Sequence, residues 1–203
     1  MRKKFGIICI ACGVFFLLTS IGLVVFNCRE AKRGEMLAHS LLQDVQVYVN
    51  SHEHTEDSQT SDYPDEILAP QEMMTAPVGN YESIGILSIP VLELELPVLT
   101  DWSYQKLKMA PCHYYGSCYE PNFVIAAHNY SSHFGRLSQL FPGDLVVFTD
   151  VTGAVYFYEV VLLETLSPAA TEEMITSGFD LSLYTCTPVG GSRVTVRCKT
   201  IDT

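Results

Sequence analysis

A continuous apolar run near the N-terminus, residues 5–26, does most to limit how this chain can fold. It carries no charged residue, and about 20 apolar residues are enough for a helix to cross the hydrocarbon core of a bilayer. Arg2, Lys3 and Lys4 precede the run, and such cationic flanks favour the cytoplasmic side of a membrane. Cationic residues that follow the run weaken this orientation signal. The pattern predicts a membrane-spanning helix with the N-terminus inside the cell and the rest of the chain outside.

A cleaved signal peptide is the alternative explanation for this run. The apolar core of a signal peptide is usually about 7–15 residues long and ends in small residues, whereas this run is longer and ends Val-Val-Phe-Asn-Cys. A lipoprotein attached through Cys28 is also disfavoured, because the preceding Phe26 and Asn27 fit that signal badly. We therefore expect residues 1–28 to form a cytoplasmic tip and an uncleaved, single-pass anchor in the cell membrane.

The amino-acid composition of residues 29–80 changes near residue 50. Apolar side chains recur about every 3.6 positions in residues 29–49, as in an amphipathic helix beside the membrane: Met36, Leu37, Leu41, Leu42, Val45 and Val49. Residues 50–80 are instead rich in Ser, Thr, Asp, Glu, Gln and Pro, which favours a flexible linker because few side chains there can be buried. The folded domain is predicted to span residues 81–203.

From residue 81 onward, short apolar runs alternate with turn-forming residues. These runs predict strands at residues 84–89, 94–99, 123–127, 145–149, 154–163, 181–186 and 193–200. Short helices are predicted at residues 103–109 and 171–176, the second with Thr171 as its cap, and a helical turn is predicted at residues 133–140. Many short strands at regular spacing indicate a mostly β domain, either a barrel or a sandwich.

Charge and cysteine content narrow the classes of function. The formal net charge of −11 argues against nucleic-acid binding, because that function needs a basic surface to neutralise phosphates. The acidic residues are explained by a solvated acidic surface, so no metal is assigned. Cys112 and Cys118 are close enough in sequence to form a disulfide across a turn in an extracellular domain, or to remain free thiols.

Three residues at the ends of predicted strands have side chains suited to acyl transfer. Cys186 ends one strand, and its thiol becomes a strong nucleophile as a thiolate. His128 follows the apolar run 123–127, and a histidine titrates near neutrality, as a general acid must. Arg193 opens the last strand, and a guanidinium offers several donors to a developing oxyanion.

Each of these residues has a competing structural explanation. A cysteine at a strand end is more often packed in a core than catalytic, and His113 and His133 are further histidines nearby in the sequence. Arg193 and Arg197 point to the same face of a strand, because side chains alternate with a two-residue repeat. Proximity to the turn after Cys186 favours Arg193 over Arg197 as the oxyanion stabiliser. The residues alone do not prove that the three side chains converge.

The order of these motifs resembles that of the sortase family. The segment Leu-Ser-Leu-Tyr-Thr-Cys186-Thr-Pro-Val-Gly-Gly-Ser-Arg193 is similar to the family's Thr-Leu-x-Thr-Cys motif, which is followed by an arginine that begins the last strand. The segment Phe-Val-Ile-Ala-Ala-His128-Asn is similar to the apolar strand that ends at the family's histidine. With similar opening strands upstream, the resemblance covers residues 81–200.

The resemblance implies a closed β-barrel of about eight strands with short helices, and a membrane-anchored cysteine transpeptidase. It implies that Cys186 is the nucleophile, His128 the acid and base, and Arg193 the oxyanion stabiliser, and that Thr185 helps to orient the substrate. The implied substrate is a secreted protein with a C-terminal sorting signal like Leu-Pro-x-Thr-Gly. The implied acceptor is an amine of a peptidoglycan precursor or of a pilin, and no cofactor is implied.

Departures from the family pattern bear on subclass rather than on chemistry. Ser182 and Ala127 differ from the usual residues but leave the reacting groups unchanged. Asp62-Tyr63-Pro64 is not the Asp-Pro-aromatic lid motif of pilin-polymerising sortases, and the chain ends at Thr203, soon after the last predicted strand, so a lidded pilin polymerase is disfavoured. Two alternatives stay open: an extracellular cysteine peptidase in which water resolves the thioester, and a non-enzymatic, anchored β-barrel binding module.

Overall fold

The computed structural model describes residues 2–52, 72–187 and 190–201. Within these ranges the chain forms one long helix, nine strands and one short helix. The elements are α1 (Arg2–His52), β1 (Ala76–Val78), β2 (Tyr81–Ile89), β3 (Leu94–Leu99), β4 (Cys112–Tyr115), β5 (Phe123–Ala126), β6 (Leu145–Asp150), β7 (Val155–Leu166), α2 (Thr171–Ile175), β8 (Leu181–Cys186) and β9 (Arg193–Thr200). Single 3-10 turns lie at Pro90–Leu92, Lys106–Lys108 and Leu137–Gln139.

Eight of these strands, β2 to β9, close into a barrel. They follow one another in the order β2-β3-β4-β5-β8-β9-β7-β6, and β6 pairs again with β2. β5 and β8 are parallel neighbours, whereas β8 and β9 form an antiparallel hairpin. The short β1 pairs with the first residues of β2. The expected closed barrel of about eight strands is confirmed.

The strands β5 and β8 have an inner and an outer face, and both faces are packed. Phe123 and Ile125 of β5 join Leu183 of β8 in the main core inside the barrel. Val124 of β5 points outward and packs against Met174 of α2 in a separate cluster. Because both faces of β5 are covered, its sequence is a continuous apolar run rather than an alternating one.

One continuous helix, α1, contains both the apolar run and the amphipathic segment. Among the described residues it is the one helix long and apolar enough to cross a membrane, and residues 10–29 are exposed. Further along, Leu41, Val45 and Val49 pack against the barrel beside Leu99. The helix therefore passes without a break through residue 28, where the anchor was expected to end, and continues onto the barrel.

Some predicted boundaries differ from the observed ones. β1 lies inside the predicted linker, and residues 53–71 of that linker, including Asp62-Tyr63-Pro64, lie outside the described residues. The predicted helix at residues 103–109 is a single 3-10 turn. Thr171 was wrongly predicted as the cap of α2: Ala170 takes that position, and its side chain has no group that can accept a hydrogen bond.

Cys112 and Cys118 are both free, buried thiols. Cys112 belongs to the cluster beneath α1, whereas Cys118 belongs to the core of the barrel. The structure therefore favours the free-thiol alternative over a disulfide.

Candidate active site

Cys186 and His128 lie at the ends of two neighbouring strands, at the same level of the barrel. β5 and β8 run parallel, and Ala126 pairs with Tyr184, two residues before His128 and Cys186 respectively. The pairing continues past the strand end, because the backbone amide of Ala127 donates to the carbonyl oxygen of Tyr184 at 3.2 Å. The fold therefore brings the two predicted residues together.

Arg193 lies on the other side of Cys186. β8 and β9 are antiparallel, and Cys186 pairs directly with Arg193. The side chain of Cys186 is exposed, and that of Arg193 is half-buried. Because β8 lies between β5 and β9 in the sheet, the cysteine is flanked by a histidine on one strand and an arginine on the other.

Arg197 has different surroundings, although it lies on the same face of β9 as Arg193. The whole residue is 1% exposed. Its Nε donates to Oε1 of Glu164 at 2.7 Å, and its Nη1 donates to the hydroxyl of Ser182 at 2.8 Å. Arg197 therefore ties β7 and β8 together, which leaves Arg193 as the arginine beside Cys186.

Thr185 is buried and does not line the groove at Cys186. Its hydroxyl donates to the carbonyl oxygen of Ala127 at 2.9 Å. This hydrogen bond joins the residue before Cys186 to the residue before His128. The placement favours a positioning role for Thr185 rather than the substrate contact implied by the resemblance.

The surroundings of His128 control its protonation and orientation. Its Nδ1 accepts the backbone N–H of Asn129 at 2.8 Å, and its ring stacks on that of Tyr130 with centroids 4.1 Å apart and planes 6° from parallel. Partial burial lowers the pKa of His128, and the charge of Lys108 lowers it further. The hydrogen bond to the side chain of Asn129 and the charge of Glu30 act in the opposite direction. Lowering the pKa favours the neutral ring, the form that accepts a proton.

Tyr130 in turn rests against α1. A Cβ at Gly34 would lie 3.1 Å from the Tyr130 ring and 2.6 Å from the carbonyl oxygen of Lys108, so a glycine is needed for this close approach. Nearby on α1, Oε2 of Glu30 lies 3.4 Å from Nζ of Lys108. Helix α1 thus forms one wall beside His128, a contact that the periodicity of the sequence does not reveal.

A groove over the outer face of the barrel opens at Cys186 and Arg193. One side is formed by the segment that joins β7 to α2, together with Met174. The other side is a row of aromatic rings in contact with one another: Tyr184, Tyr114, Trp102 and Tyr104. Apolar surface beside an exposed thiol suits an extended peptide with apolar side chains.

The competing histidines, His113 and His133, have other surroundings. His133 is fully buried, and burial lowers its pKa to about 4. Nε2 of His113 lies 2.7 Å from the carbonyl oxygen of Gly116, and its Nδ1 lies 3.2 Å from that of Thr100. Burial therefore surrounds the ring of His133, and both ring nitrogens of His113 already have carbonyl partners.

Cys186 is exposed, whereas the other three thiols of the barrel are buried. Burial raises the pKa of Cys112 and Cys198 to about 12, and that of Cys118 to about 11. Thiols that stay protonated are poor nucleophiles.

In the described part of the chain, no group of three His, Cys, Asp or Glu side chains is arranged to hold a metal ion.

Comparison with known proteins decides the family. A model described as the sortase domain matches residues 87–201. This chain belongs to the sortase family. The matched part of this sortase includes His128, Cys186 and Arg193, and the family assigns it to the cysteine transpeptidases.

Solved structures with the same fold include several sortases of class C. Sortase C1 of Streptococcus suis is 28% identical to this sortase, with 60% of this chain and 74% of that chain covered and a TM-score of 0.53. Sortase C of Streptococcus pneumoniae is 25% identical, with 80% and 89% covered and a TM-score of 0.54. A Clostridium perfringens sortase C, solved with the C-terminal cell wall sorting motif, is 21% identical, with 80% and 90% covered and a TM-score of 0.54, which shows the fold alone. No curated protein matches the chain.

Proposed function

We propose that this sortase is a membrane-anchored transpeptidase that cleaves a C-terminal sorting signal like Leu-Pro-x-Thr-Gly in secreted proteins. It then joins the acyl group to an amine of a peptidoglycan precursor or of a pilin. In this proposal Cys186 is the nucleophile, His128 the acid and base, and Arg193 the oxyanion stabiliser. The register that sets Arg193 opposite Cys186, with His128 on the parallel strand, is the observation that carries it.

The first step forms a thioester. The thiolate of Cys186 attacks the carbonyl carbon before the scissile bond, and the negative charge that develops on the carbonyl oxygen is stabilised by the guanidinium of Arg193. His128, protonated at this stage, donates its proton to the leaving amine. The C–N bond breaks, and the acyl group remains on the sulfur.

The second step transfers the acyl group. A neutral amine attacks the thioester carbonyl carbon, the C–S bond breaks, and the sulfur leaves as the thiolate. His128, now neutral, takes the proton that the attacking amine loses. The lowered pKa of His128 helps this second step, because it favours the proton-accepting form.

The anchor places the reaction at the outer surface of the cell membrane. The apolar part of α1 spans the membrane once, with the cationic N-terminus in the cytoplasm and the barrel outside. Residues 81–203, with β1 added in front, form the catalytic domain in this proposal. The amphipathic half of α1 holds that domain near the membrane, because Leu41 and Val45 are buried against it.

A peptide library tests the proposal. The full chain in detergent micelles is incubated with fluorogenic peptides like Leu-Pro-x-Thr-Gly, with and without an added amine, beside Cys186→Ala and the matched control Cys112→Ala. The full chain is needed because removing α1 would expose its contact surface on the barrel. We expect cleavage and an amine-linked product that depend on Cys186 and not on Cys112.

Two outcomes would contradict the proposal. Hydrolysis that never yields an amine-linked product would favour a cysteine peptidase. Equal activity of Cys186→Ala and the unaltered chain would exclude Cys186 as the nucleophile.

A further inference from the structure

His128 lines a second cavity, which shares no lining residue with the peptide groove. It has a volume of about 530 Å³, and its walls are the membrane-proximal part of α1 and the loop after β5. His128, Asn129 and Tyr130 line this cavity, whereas Cys186 and Arg193 line the first groove and not this one. Ala127 lines the first groove and His128 lines this cavity, so two adjacent residues face the two spaces.

The second step of the proposed reaction needs such an arrangement. The acyl donor remains attached to Cys186 and occupies the groove beside Arg193. The acceptor amine must reach the thioester while its nitrogen is within proton-transfer distance of His128. A cavity that is lined by His128 and not by the groove residues offers the acceptor a place beside the histidine.

The charges in the cavity suit a primary amine. An alkylamine such as a lysine side chain, with a pKa of about 10.4, is a cation at neutral pH. Glu30 of α1 lines the cavity, and its carboxylate is about a quarter exposed, with Oε2 3.4 Å from Nζ of Lys108. A lysine ammonium of the chain itself is thus already bound to this carboxylate. Phe26 and Ala31 add apolar surface for the methylene groups of an amine arm.

We propose that this cavity is the binding site for the acceptor amine, and that Glu30 receives the acceptor's ammonium in exchange for Lys108. The inference rests on the proposed function, because it concerns the second substrate of that reaction. The bound ammonium loses one proton to water. The neutral nitrogen then leaves Glu30, moves to the thioester on Cys186 and attacks its carbonyl carbon. Its second proton passes to His128 as the C–N bond forms and the C–S bond to Cys186 breaks.

Two substitutions with opposite expected effects test the site in the full chain. The ratio of amine-linked to hydrolysed product is measured against amine concentration with a cleavable donor peptide. The amine probes are Nα-acetyl-lysine amide and triglycine amide, which represent a protein lysine and a peptide α-amine. We expect Glu30→Gln to raise the half-saturating amine concentration about tenfold, because one charge-assisted contact is worth about 1.5 kcal/mol. We expect Lys108→Gln to lower it, because it removes a competing cation.

Glu35→Gln is the matched control, since Glu35 is exposed on the same helix and does not line this cavity. We expect it to leave the half-saturating concentration unchanged. A response with both probes supports a general amine site, and a response with one probe identifies its source as lysine-like or peptide-like. Urea denaturation of each variant verifies that it is folded.

Three results would overturn the site. If Glu30→Gln and Lys108→Gln change the ratio of amine-linked to hydrolysed product in the same direction, the Glu30–Lys108 ion pair only holds α1 against the barrel. If Glu30→Gln behaves like Glu35→Gln, the amine binds elsewhere. If the unaltered chain forms no amine-linked product, the proposed function fails and the acceptor site fails with it; the first two results leave the proposed function intact.

Discussion

The hydroxyl of Thr185 links the two strand ends that carry Cys186 and His128, and Thr185→Val removes that link with little change in shape. The hydroxyl donates to the carbonyl oxygen of Ala127 at 2.9 Å, and both residues are buried. Valine replaces the hydroxyl by a methyl group and leaves the carbonyl oxygen without this donor. The two strand ends then lose a side-chain contact but keep their backbone pairing.

The expected magnitude follows from burial. Leaving a buried acceptor without its partner lowers the free energy of unfolding by about 1–3 kcal/mol. The effect on catalysis is expected to be larger than stability alone explains, because a shift on the order of 1 Å between reacting groups costs about 100-fold in rate. We expect kcat for donor cleavage to fall by about 10- to 100-fold, with a smaller change in KM.

A matched control lies on the next strand. Thr195 is fully buried, and within the described part of the chain its hydroxyl has no hydrogen-bond partner. Burying an unpaired hydroxyl costs about 1–3 kcal/mol, so Thr195→Val should leave stability unchanged or raise it. Thr185→Ser keeps the hydroxyl and should restore most of kcat.

Urea denaturation, followed by the fluorescence of the single tryptophan, Trp102, measures stability, and initial rates with a donor peptide separate kcat from KM. Equal effects of Thr185→Val and Thr195→Val on both quantities would exclude a special role for the hydroxyl of Thr185. The same conclusion follows if Thr185→Ser loses as much kcat as Thr185→Val.

Further predictions follow from the surroundings of other residues. Arg197→Ala should lower the free energy of unfolding by about 1–3 kcal/mol in urea denaturation, because it leaves the buried hydroxyl of Ser182 without its partner, whereas Arg193→Ala should mainly lower kcat, by about 100- to 1000-fold. Gly34→Ala, normally stabilising by about 1 kcal/mol in a helix, should instead destabilise the fold and lower kcat, since the new Cβ would meet the Lys108 carbonyl oxygen at 2.6 Å. The pKa of His133 is lowered from 6.5 to about 4, so its neutral form stabilises the fold above pH 6.5. That stabilisation, up to about 3 kcal/mol, is lost as the pH falls towards 4; unfolding measured at pH 7 and 4.5 should show a smaller loss for His133→Gln.

The strands that the sequence predicted correctly are those in which packing restricts the type of side chain at every position. β5 is apolar throughout because Phe123 and Ile125 fill the barrel while Val124 packs beneath α2. Cys186 and His128 stand out because each follows such a strand and because their order matches a family pattern. The same reasoning could not separate Arg193 from Arg197, which lie on one face of β9. The structure separates them through Glu164, which lies 33 residues earlier in the chain on the neighbouring strand β7 and binds Arg197.

The elements that the sequence analysis missed depend on contacts between distant segments. β4 contains Cys112 and His113 but no apolar run, and it is a strand because it bridges β3 and β5 and closes the barrel. The wall that α1 forms beside His128 depends on Gly34 and Tyr130, which are far apart in the chain. A glycine within a helix carries no periodic signal, so its role appears only when its neighbours are known.

The motifs around Cys186 and Arg193 can be recognised in the sequence because these residues lie at the ends of strands. A shift of one residue in β8 would turn Cys186 into the barrel and Thr185 outward, because side chains alternate between the two faces. The residues that pack the core therefore also fix which face each reactive group occupies. Residues of the loops and of α1 are not fixed in this way by core packing together with strand alternation. They are free to differ in the amines and peptides that they admit, and it is there, at Glu30 and along the aromatic row, that we expect the specificity of this sortase to be determined.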